Sequence, residues 1–365
     1  MTTRPSEAPS GTTESDQITR EELQLTTRNH GMLLEALRYD VTPLGMHYVL
    51  VHYDIPAVDE PTWQLQIGGQ VRRRIQLSLA DLRARPRIVQ QITMECAGTG
   101  RARLSPRALS QPWLHEAIGN AEWAGTPLAP LLDEAGLLDD VVEIVFTGLD
   151  RGIEGGHDQV YERSLPITEA RREEVVLAYE MNGQPLPPQH GLPLRLLVPG
   201  WYGMTSVKWL SRITAVSERF EGYQQTGAYL WRQHPDEQGE PVDHIAVRSL
   251  MIPPGIPEFL TRHRYVERGP CQLSGRAWSG SGPIVRVELS ADGGRSWTDT
   301  LLCQPIAPHA WQAWTSTWQP PGIGDYELCC RATDAAGNTQ PLQPVWNLGG
   351  YAVNAVQRVP VTVRG

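Results

Sequence analysis

The sequence changes character near residue 235, and this change constrains the fold more than any other feature. The polar, turn-rich stretch QHPDEQGEPVD separates the two parts of the chain. After it, Val285, Val287 and Leu289 alternate with polar residues, and segments 326–332 and 359–363 repeat that pattern. Short alternating strands without a convincing helix signal are typical of a β-sandwich of the immunoglobulin type.

The first part of the chain mixes strand and helix patterns. Residues 63–67 alternate apolar and polar side chains, and the apolar run VVEIVFTG from Val141 predicts a strand buried on both faces. The runs VVLAYEMNG and PLRLLVPG predict two more strands, with an Asn-Gly turn between them. Ser78 and Thr126 fit helix N-caps, the second followed by proline, and Gly136 fits the end of the second helix.

These patterns predict two folded domains, since 365 residues exceed what one hydrophobic core usually serves. We expect an α+β domain over residues 21–235 and an all-β immunoglobulin-like domain over residues 236–365. Residues 1–20 are polar and lack the apolar core of an export signal, so we expect a disordered tail. A cytoplasmic location follows, or a periplasmic one if a leader has been removed.

The overall charge and hydropathy argue against two classes of partner. A formal net charge of −9 disfavours nucleic acid and anionic membranes. No apolar run reaches the roughly 18–20 residues that span a bilayer, so no membrane segment is expected. An anionic substrate would need a local group of arginines, because nearby charges in a partly desolvated site outweigh distant, screened ones.

The five cysteines are an odd number and include no CxxC pair, which argues against a disulfide framework and a zinc site. Cys330 fits an inward strand position as a small apolar side chain. Cys96 differs, because it is followed by small residues and then by Arg101 and Arg103. Nearby positive charge lowers a thiol pKa and favours the thiolate, which ligates soft metals or attacks electrophiles. A buried, inert cysteine beside a turn explains the same residues equally well.

Other candidate residues are ambiguous when considered alone. His30 in TRNHG fits a loop residue, and His190 fits a structural histidine at a strand entry. Arg195 and Lys208 are charges within apolar runs, and a buried arginine usually has a phosphate or carboxylate partner. The chain has no GxSxG, HExxH, P-loop or dinucleotide-binding GxGxxG pattern that would indicate another enzyme class.

The run VVLAYEMNGQPLPPQHGLPLRLLVPGWYGMTSVKWLSRI resembles the signature segment of the sulfite oxidase family. TRNHG, MECAGTGR, LSADGGRSWTDT and PVWNLGGYAVNAVQRV resemble the same family in the same order, from about residue 25 to the end. The resemblance implies a molybdopterin-binding α+β domain, followed by an immunoglobulin-like domain that mediates homodimerisation. It also implies a molybdenum-molybdopterin cofactor.

The resemblance implies roles for individual residues. Cys96 matches the thiolate that ligates molybdenum. Positions that hold the cofactor are matched by Asn29, His30, Asp150, His190, Arg195, Ser206, Val207 and Lys208. Positions that face the substrate anion are matched by Arg28, Arg101, Trp113 and Tyr229.

Two departures from the family pattern bear on the substrate. This chain has CAGTGR where members with sulfite activity often have CAGNRR, and Thr226 and Gly227 replace the usual arginines before Tyr229. Oxidation of sulfite to sulfate is the expected reaction. Reduction of nitrate or a sulfoxide, oxidation of carrier-bound sulfur, and a non-catalytic cofactor-binding dimer remain alternatives. The haem domain of the animal enzymes has no counterpart here, so we expect no haem, and a separate acceptor such as a cytochrome would take the electrons.

Overall fold

The computed structural model describes residues 18–365, and its first helix begins just inside this range. Helix α1 (Arg20–Arg28) starts at a capping box. The Thr19 hydroxyl accepts from the Glu22 N–H, and the Glu22 carboxylate accepts from the Thr19 N–H. The predicted tail over residues 1–20 lies almost entirely outside the described residues and stays a prediction.

The part of the chain before residue 235 combines short helices with two five-stranded sheets. Its further α-helices are α2 (Leu79–Arg83), α3 (Ala129–Ala135), α4 (Ile167–Ala170) and α5 (Tyr223–Thr226). Single 3-10 turns lie at Leu34–Arg38, Leu44–Met46, Arg101–Arg103, Pro188–His190 and Gly203–Thr205. The strands are β1 (Gln64–Gly69), β2 (Ile75–Ser78), β3 (Ile88–Glu95), β4 (Ile118–Pro127), β5 (Glu143–Glu154), β6 (His157–Pro166), β7 (Val176–Met181), β8 (Gln184–Pro185), β9 (Arg195–Leu197), β10 (Arg212–Val216) and β11 (Leu230–Trp231). No helix in the described range is long and apolar enough to cross a membrane.

The first sheet has the strand order β2-β1-β10-β5-β6, in which only β1 and β10 are parallel. Its buried face carries Leu65, Phe146 and Ile213. These side chains share one core with helices α2 and α3 and with Leu177 and Leu196 of the second sheet. The mixed α and β character predicted for this part is therefore confirmed.

The second sheet, β3-β4-β7-β8 with β9 beside β7, lies between two cores. One face contributes to the core just described, and the other packs Met94, Trp123 and Met181 into a second core. Strand β3 ends at Glu95, so Cys96 follows the last strand residue directly and belongs to this second core. The sheet thus fixes the position of the cysteine predicted to bind metal.

Several local predictions for the first part are confirmed. Ser78 caps α2 through a capping box with Asp81, and Gly136 ends α3 with a φ of +68°. Asn182 and Gly183 form the predicted turn, with φ angles of +52° and +71°. Both angles lie in the left-handed region that an Asn-Gly hairpin turn requires.

Two predicted boundaries are wrong. Thr126 does not cap a helix, because it pairs with Leu177 near the end of β4, and α3 begins only at Ala129. Cross-strand pairing here overrides the local capping preference. Strand β5 does not end at Gly148, since a bulge lets it continue beyond the glycine.

The part of the chain after residue 235 is mostly β, and its described residues form no α-helix. Its strands are β12 (Glu240–Pro241), β13 (Arg248–Met251), β14 (Ile256–Pro257), β15 (Arg264–Glu267), β16 (Cys271–Trp278), β17 (Ile284–Ser290), β18 (Thr298–Asp299), β19 (Leu301–Leu302), β20 (Gln312–Trp318), β21 (Gly324–Asp334) and β22 (Gln357–Arg364). A four-stranded sheet, β13-β16-β20-β19, and a six-stranded sheet, β14-β15-β22-β21-β17-β18, contribute to one apolar core. The immunoglobulin-type connectivity stays a prediction.

The alternation in this second part identified most inward-facing positions. Leu328 and Cys330 are fully buried, as predicted. Val285 is instead exposed, because the strand register shifts between Ile284 and Arg286 and turns its side chain to the other face. A one-residue shift in register changes the face of a strand side chain.

The two parts of the chain are joined through the edge of β3 and a shared core. The backbone N–H of Thr93 donates to the His309 carbonyl at 2.9 Å, and the Trp311 N–H donates to the Thr93 hydroxyl at 2.7 Å. A third core combines Met32 from the first part with Trp278 and Trp311 from the second. The second part therefore covers the strand that leads to Cys96.

Candidate functional site

A cavity lies in the first part of the chain, between the end of β3, the His47–His52 segment and the loops around β9. Seven of the residues predicted as site residues line it, namely Cys96, Asp150, His190, Arg195, Ser206, Lys208 and Tyr229. The structure therefore brings together residues that are up to 133 positions apart in the sequence, from Cys96 to Tyr229.

The small residues after Cys96 are needed for its position. The Cys96 N–H donates to the Ala117 carbonyl at 2.9 Å, and the Thr99 N–H donates back to the Cys96 carbonyl at 3.0 Å. Gly100 has a φ of +95°, and a Cβ there would lie 2.3 Å from the Val353 carbonyl oxygen. The tight turn and the close approach of the second part of the chain thus explain a glycine at this position.

The thiol of Cys96 does not have the lowered pKa that the neighbouring arginines suggested. Burial raises the pKa of the Cys96 thiol, and the charge of Arg101 and the contact with Trp113 only partly oppose this effect. Arg103 turns away, and its guanidinium donates to the Val356 carbonyl at 3.4 Å. Coordination to a metal ion would itself deprotonate the thiol.

Two buried cations line the cavity without an ion-pair partner at hydrogen-bond distance. Arg195 donates to the carbonyls of His190 and Ser206 at 3.0 and 3.2 Å, and burial lowers its pKa to about 10. Lys208 donates to the carbonyls of Leu50 and Gln189 at 2.7 and 3.2 Å, and burial lowers its pKa to about 7. An anionic ligand would compensate these charges far better than neutral carbonyls do.

Several buried polar atoms of the cavity have no hydrogen-bond partner within residues 18–365. They include Asp150 Oδ1, His190 Nε2 and Arg195 Nε. Burial raises the pKa of Asp150 to about 6, and it lowers the pKa of His190 so that the imidazole is neutral. Unsatisfied buried polar atoms are rare in folded proteins and usually indicate a bound group.

Tyr229 lies on another side of the cavity in a constrained conformation. Its φ is +53°, a left-handed value that is uncommon for a bulky side chain. Its hydroxyl contacts His52 Nε2 at 2.5 Å, and the guanidinium of Arg163 lies 5.7 Å from its ring centroid. Burial lowers the pKa of His52 to about 3, with smaller effects from Lys208 and Arg28, so His52 is neutral.

Arg101 and Trp113 do not line the cavity itself, but both lie against the Cys96 loop. Arg101 is buried, its Nε donates to the Gly349 carbonyl at 2.9 Å, and its Nη1 donates to the Gln111 carbonyl at 3.2 Å. Trp113 is also buried, and its indole Nε1 has no oxygen or nitrogen partner in the described part of the chain. Its contact with the thiol favours the thiolate.

The side chains of the TRNHG segment are not among the lining residues of the cavity, although the charge of Arg28 acts on His52 and that of His30 on His190. Their roles toward cofactor and substrate stay predictions. Arg28 and His30 are exposed, and Arg28 only reaches the His52 carbonyl at 3.3 Å. Asn29 is buried, but its side-chain oxygen accepts from the Val51 N–H at 2.7 Å. The backbone of this segment pairs with the His47–His52 segment, so it supports the cavity wall from outside.

Val207 also lies away from the cavity. It is buried in the core of the first part, while its neighbours Ser206 and Lys208 point into the cavity. Consecutive residues of an extended chain point to opposite sides, which explains why only the two flanking residues line the site.

Family comparisons agree with this geometry. The family model described as "Oxidoreductase molybdopterin binding domain" matches residues 52–224, and "Mo-co oxidoreductase dimerisation domain" matches residues 240–364. Sulfite oxidase of Gallus gallus is 33% identical over 336 residues, which cover 87% of this chain and 72% of that protein. The chain belongs to the sulfite oxidase family.

Two further relatives and one solved structure are also similar to this chain. Mitochondrial sulfite oxidase of Homo sapiens is 35% identical over 341 residues, and the chain spans 62% of its length. Nitrate reductase [NAD(P)H] of Hordeum vulgare is 30% identical over 355 residues, which cover 39% of that protein. The crystal structure of the sulfane dehydrogenase SoxCD from Paracoccus pantotrophus matches 99% of this chain and 96% of that one. Its TM-score is 0.77 at 26% identity.

The cavity residues fit the cofactor of this family. A molybdopterin carries a phosphate and a polar ring system, and Arg195 and Lys208 offer uncompensated positive charge. Asp150 Oδ1 and His190 Nε2 offer a free acceptor and a free ring nitrogen. No group of three or more His, Cys, Asp or Glu side chains suited to a metal occurs within residues 18–365. A metal held by one cysteine and an organic ligand accords with that donor set.

Some cavity residues were missed from the sequence. His47, Tyr48 and His52 line the cavity but were given no role. The available signal was the segment HYVLVHY, in which two histidines occur within an otherwise apolar and aromatic stretch. Tyr351, from the second part of the chain, was also missed, although its ring lies 5.0 Å from that of Tyr229.

Proposed function

We propose that this protein is a molybdenum-dependent oxidoreductase in which Cys96 is the protein ligand to molybdenum. We propose the oxidation of sulfite to sulfate as its reaction. The observation that carries the proposal is a shared cavity. The same space is lined by the Cys96 side chain, by the unpaired cations Arg195 and Lys208, and by Tyr229.

In the proposed complex, Arg195 and Lys208 bind the anionic end of the cofactor through charge-assisted hydrogen bonds. Asp150 and His190 bind its polar ring system, and Ser206 adds a hydroxyl at the same wall. When bound, the molybdenum cofactor transfers an oxygen atom to the substrate and accepts two electrons. Since the cations are already held by backbone carbonyls, binding requires little rearrangement of their side chains.

The substrate side in this proposal consists of Arg101, Trp113 and Tyr229. Arg101 attracts the sulfur oxyanion, and Trp113 excludes water from the thiolate. The Tyr229 hydroxyl donates to a substrate oxygen, and its contact with the neutral imidazole of His52 at 2.5 Å fixes the position of the hydroxyl. The overall reaction balances as sulfite plus water giving sulfate, two protons and two electrons.

A second candidate reaction is the oxidation of sulfur carried on a larger molecule. It is favoured by the arginines missing from two motifs, in which Thr99 and Gly100 precede the buried Arg101, and Thr226 and Gly227 precede the tyrosine. The similarity to SoxCD, described as a sulfane dehydrogenase, supports the same candidate.

We further propose that the chain works as a homodimer and passes its electrons to a separate acceptor. The match to a dimerisation domain over residues 240–364 supports the first point. We place the domain boundary after residue 235, within the connection between β11 and β12.

The test is metal analysis followed by a substrate comparison. Protein purified from cells that make the cofactor should contain close to one molybdenum per chain. It should oxidise sulfite with an artificial electron acceptor, and we expect weaker activity in assays with nitrate or methionine sulfoxide. Absence of molybdenum would refute the enzyme. Activity restricted to protein-bound or polymeric sulfur would select the second candidate.

A further inference from the structure

A loop of the second part of the chain, residues 347–353, reaches the Cys96 loop and is held there firmly. The Ala352 N–H donates to the Ala97 carbonyl at 2.8 Å, one residue beyond the cysteine. Asn347 closes the loop, because its side-chain oxygen accepts from the Tyr351 N–H at 2.9 Å and its amide donates to the Tyr351 carbonyl at 2.8 Å. The 347–353 loop is therefore tied directly to the segment that follows Cys96.

The ring of Tyr351 contacts two residues of the proposed substrate side at once. Its centroid lies 5.0 Å from that of Tyr229, with an angle of 34° between the rings. The Arg101 Cζ atom also lies 5.0 Å from the Tyr351 centroid, within the range of a cation–π interaction. Tyr351 thus connects the residue proposed to attract the anion with the one proposed to donate to a substrate oxygen.

The backbone around this contact is strained on both sides. Ala352 has a φ of +53°, and Tyr229 has the same value. Residues other than glycine adopt this region at a cost, and such strain persists where the surrounding structure holds it. Both strained residues flank the Tyr351–Tyr229 ring contact, which indicates that the fold holds these rings in one arrangement.

Arg101 is the residue whose freedom Tyr351 limits most. Its Nε and Nη1 atoms already donate to the Gly349 and Gln111 carbonyls, and the Tyr351 ring covers one face of its guanidinium. The remaining donor edge is therefore presented in a fixed direction. A fixed guanidinium binds an anion better than a mobile one, because less side-chain freedom is lost on binding.

We infer that Tyr351 is a specificity-determining residue of this site. Its side chain holds Arg101 and Tyr229 in position for a small sulfur oxyanion. This inference rests on the proposed function for the identity of the substrate. It concerns a residue of the second domain, so the site is complete only when both parts of the chain are folded together. Tyr351 acts through Arg101 and Tyr229 and is a positioning residue.

The experiment compares holoenzymes carrying Tyr351→Leu, Tyr351→Phe and the matched control Tyr265→Leu. Tyr265 also has an arginine over its ring, with the Arg364 Cζ atom 3.8 Å from the centroid, but it lies on β15, far along the chain from the site residues. For each protein, kcat and KM for sulfite are measured with an artificial acceptor. The Kd of inorganic sulfate is measured by calorimetry, and unfolding midpoints and molybdenum content are recorded.

We expect Tyr351→Leu to raise both the KM for sulfite and the Kd of sulfate by about 3- to 30-fold, the range of one cation–π contact. We expect a much smaller change in kcat. Tyr351→Phe keeps the ring and should stay close to the wild type, and Tyr265→Leu should alter neither constant. If Tyr351→Leu yields no soluble protein, Tyr351→Met serves the same comparison.

Any of four results would overturn the inference. The first is unchanged sulfate binding in Tyr351→Leu, and the second and third are an equal loss of sulfate affinity in Tyr351→Phe or in the Tyr265→Leu control. The fourth is absence of sulfate binding by the wild type. If the wild type binds sulfate but does not oxidise sulfite, the proposed reaction fails, while the sulfate measurements still decide the role of Tyr351.

Discussion

Buried cations occur in two regions of this protein, and their surroundings differ. At the contact between the two parts of the chain, Arg248 is paired with Glu95 at 2.9 Å, and both side chains are at most 1% exposed. Trp278 donates to the other carboxylate oxygen at 2.7 Å. In the cavity, Arg195 is buried and Lys208 is partly buried, and both donate only to backbone carbonyls.

The difference indicates which cations hold the fold and which are available for a ligand. A buried charge that is paired with a buried counter-ion is structural, and removing one partner leaves the other uncompensated. A buried charge without a counter-ion costs free energy until an anion binds. Glu95 and Cys96 are consecutive residues, so a residue of the structural ion pair directly precedes a residue that lines the cavity.

The largest effect is expected for substitution of Cys96, the cavity residue next to Glu95. Cys96→Ser should leave the free energy of unfolding nearly unchanged, because the two side chains are similar in size. It should lower sulfite turnover by more than about 100-fold, above the range for outer ligands, since an alkoxide is a poor substitute for a thiolate. Steady-state kinetics and denaturant unfolding check both parts. Wild-type turnover in the variant would remove the ligand assignment.

The next effect tests the paired cation. Arg248→Met should lower the free energy of unfolding by about 3–5 kcal/mol, because Glu95 is left as an uncompensated buried charge. Burial already raises the pKa of Glu95, with Arg248 opposing the rise. Arg151→Ala is the control, since its ion pair with Asp158 is more than half exposed and should change stability by less than about 1 kcal/mol. Equal losses in both variants would contradict the structural role of Arg248.

The pH dependence of stability tests the imidazoles of the cavity. Burial lowers the pKa of His47 to about 4 and of His52 to about 3. The unfolded chain therefore binds more protons than the folded one below about pH 6.5, and stability is lost as the pH falls from there. We expect the cofactor-free protein to lose about 3 kcal/mol between pH 6.5 and 5 from these two groups. Urea unfolding at several pH values measures the slope. Burial also lowers the pKa of His190, His115 and His309, so these groups add to the total loss, and His47→Phe should remove about 1.5 kcal/mol of it. The same slope in that variant would contradict the assignment.

The smallest effect tests an unpaired cation. Arg195→Met should weaken retention of the cofactor by about 10- to 100-fold. It should change the stability of the cofactor-free protein by less than about 2 kcal/mol, because removing a buried charge offsets the lost hydrogen bonds. Cofactor release during dialysis and unfolding of the cofactor-free protein are the two measurements. A destabilisation as large as that of Arg248→Met would mean that Arg195 is structural.

Much of the fold follows from patterns that are local in the sequence. The cap at Ser78, the Asn182 turn and the inward positions of β21 depend on neighbouring residues, and all are confirmed. The errors lie where distant contacts decide. Thr126 pairs with β7 instead of capping a helix, and Val285 is turned outward by a bulge.

The site residues show the same difference between what local sequence and what distant contacts determine. Motif resemblance located Cys96 and the Arg195–Lys208 stretch, and these residues line the cavity. It also pointed to TRNHG, whose backbone pairs with the His47–His52 segment that lines the cavity, and the roles of its side chains stay predictions. Tyr351 could not be found from its motif, because its importance arises only from contact with Arg101 and Tyr229.

The hydrogen bonds that join β3 to the stretch containing His309 and Trp311 also constrain how the protein can be made. A shortened product stopping near residue 235 would present an open strand edge that recruits other copies, so it should aggregate instead of yielding a minimal enzyme. During synthesis, the surroundings of the thiol are finished only after Val353 has left the ribosome. In the proposed enzyme, we therefore expect the metal to bind only after translation is nearly complete.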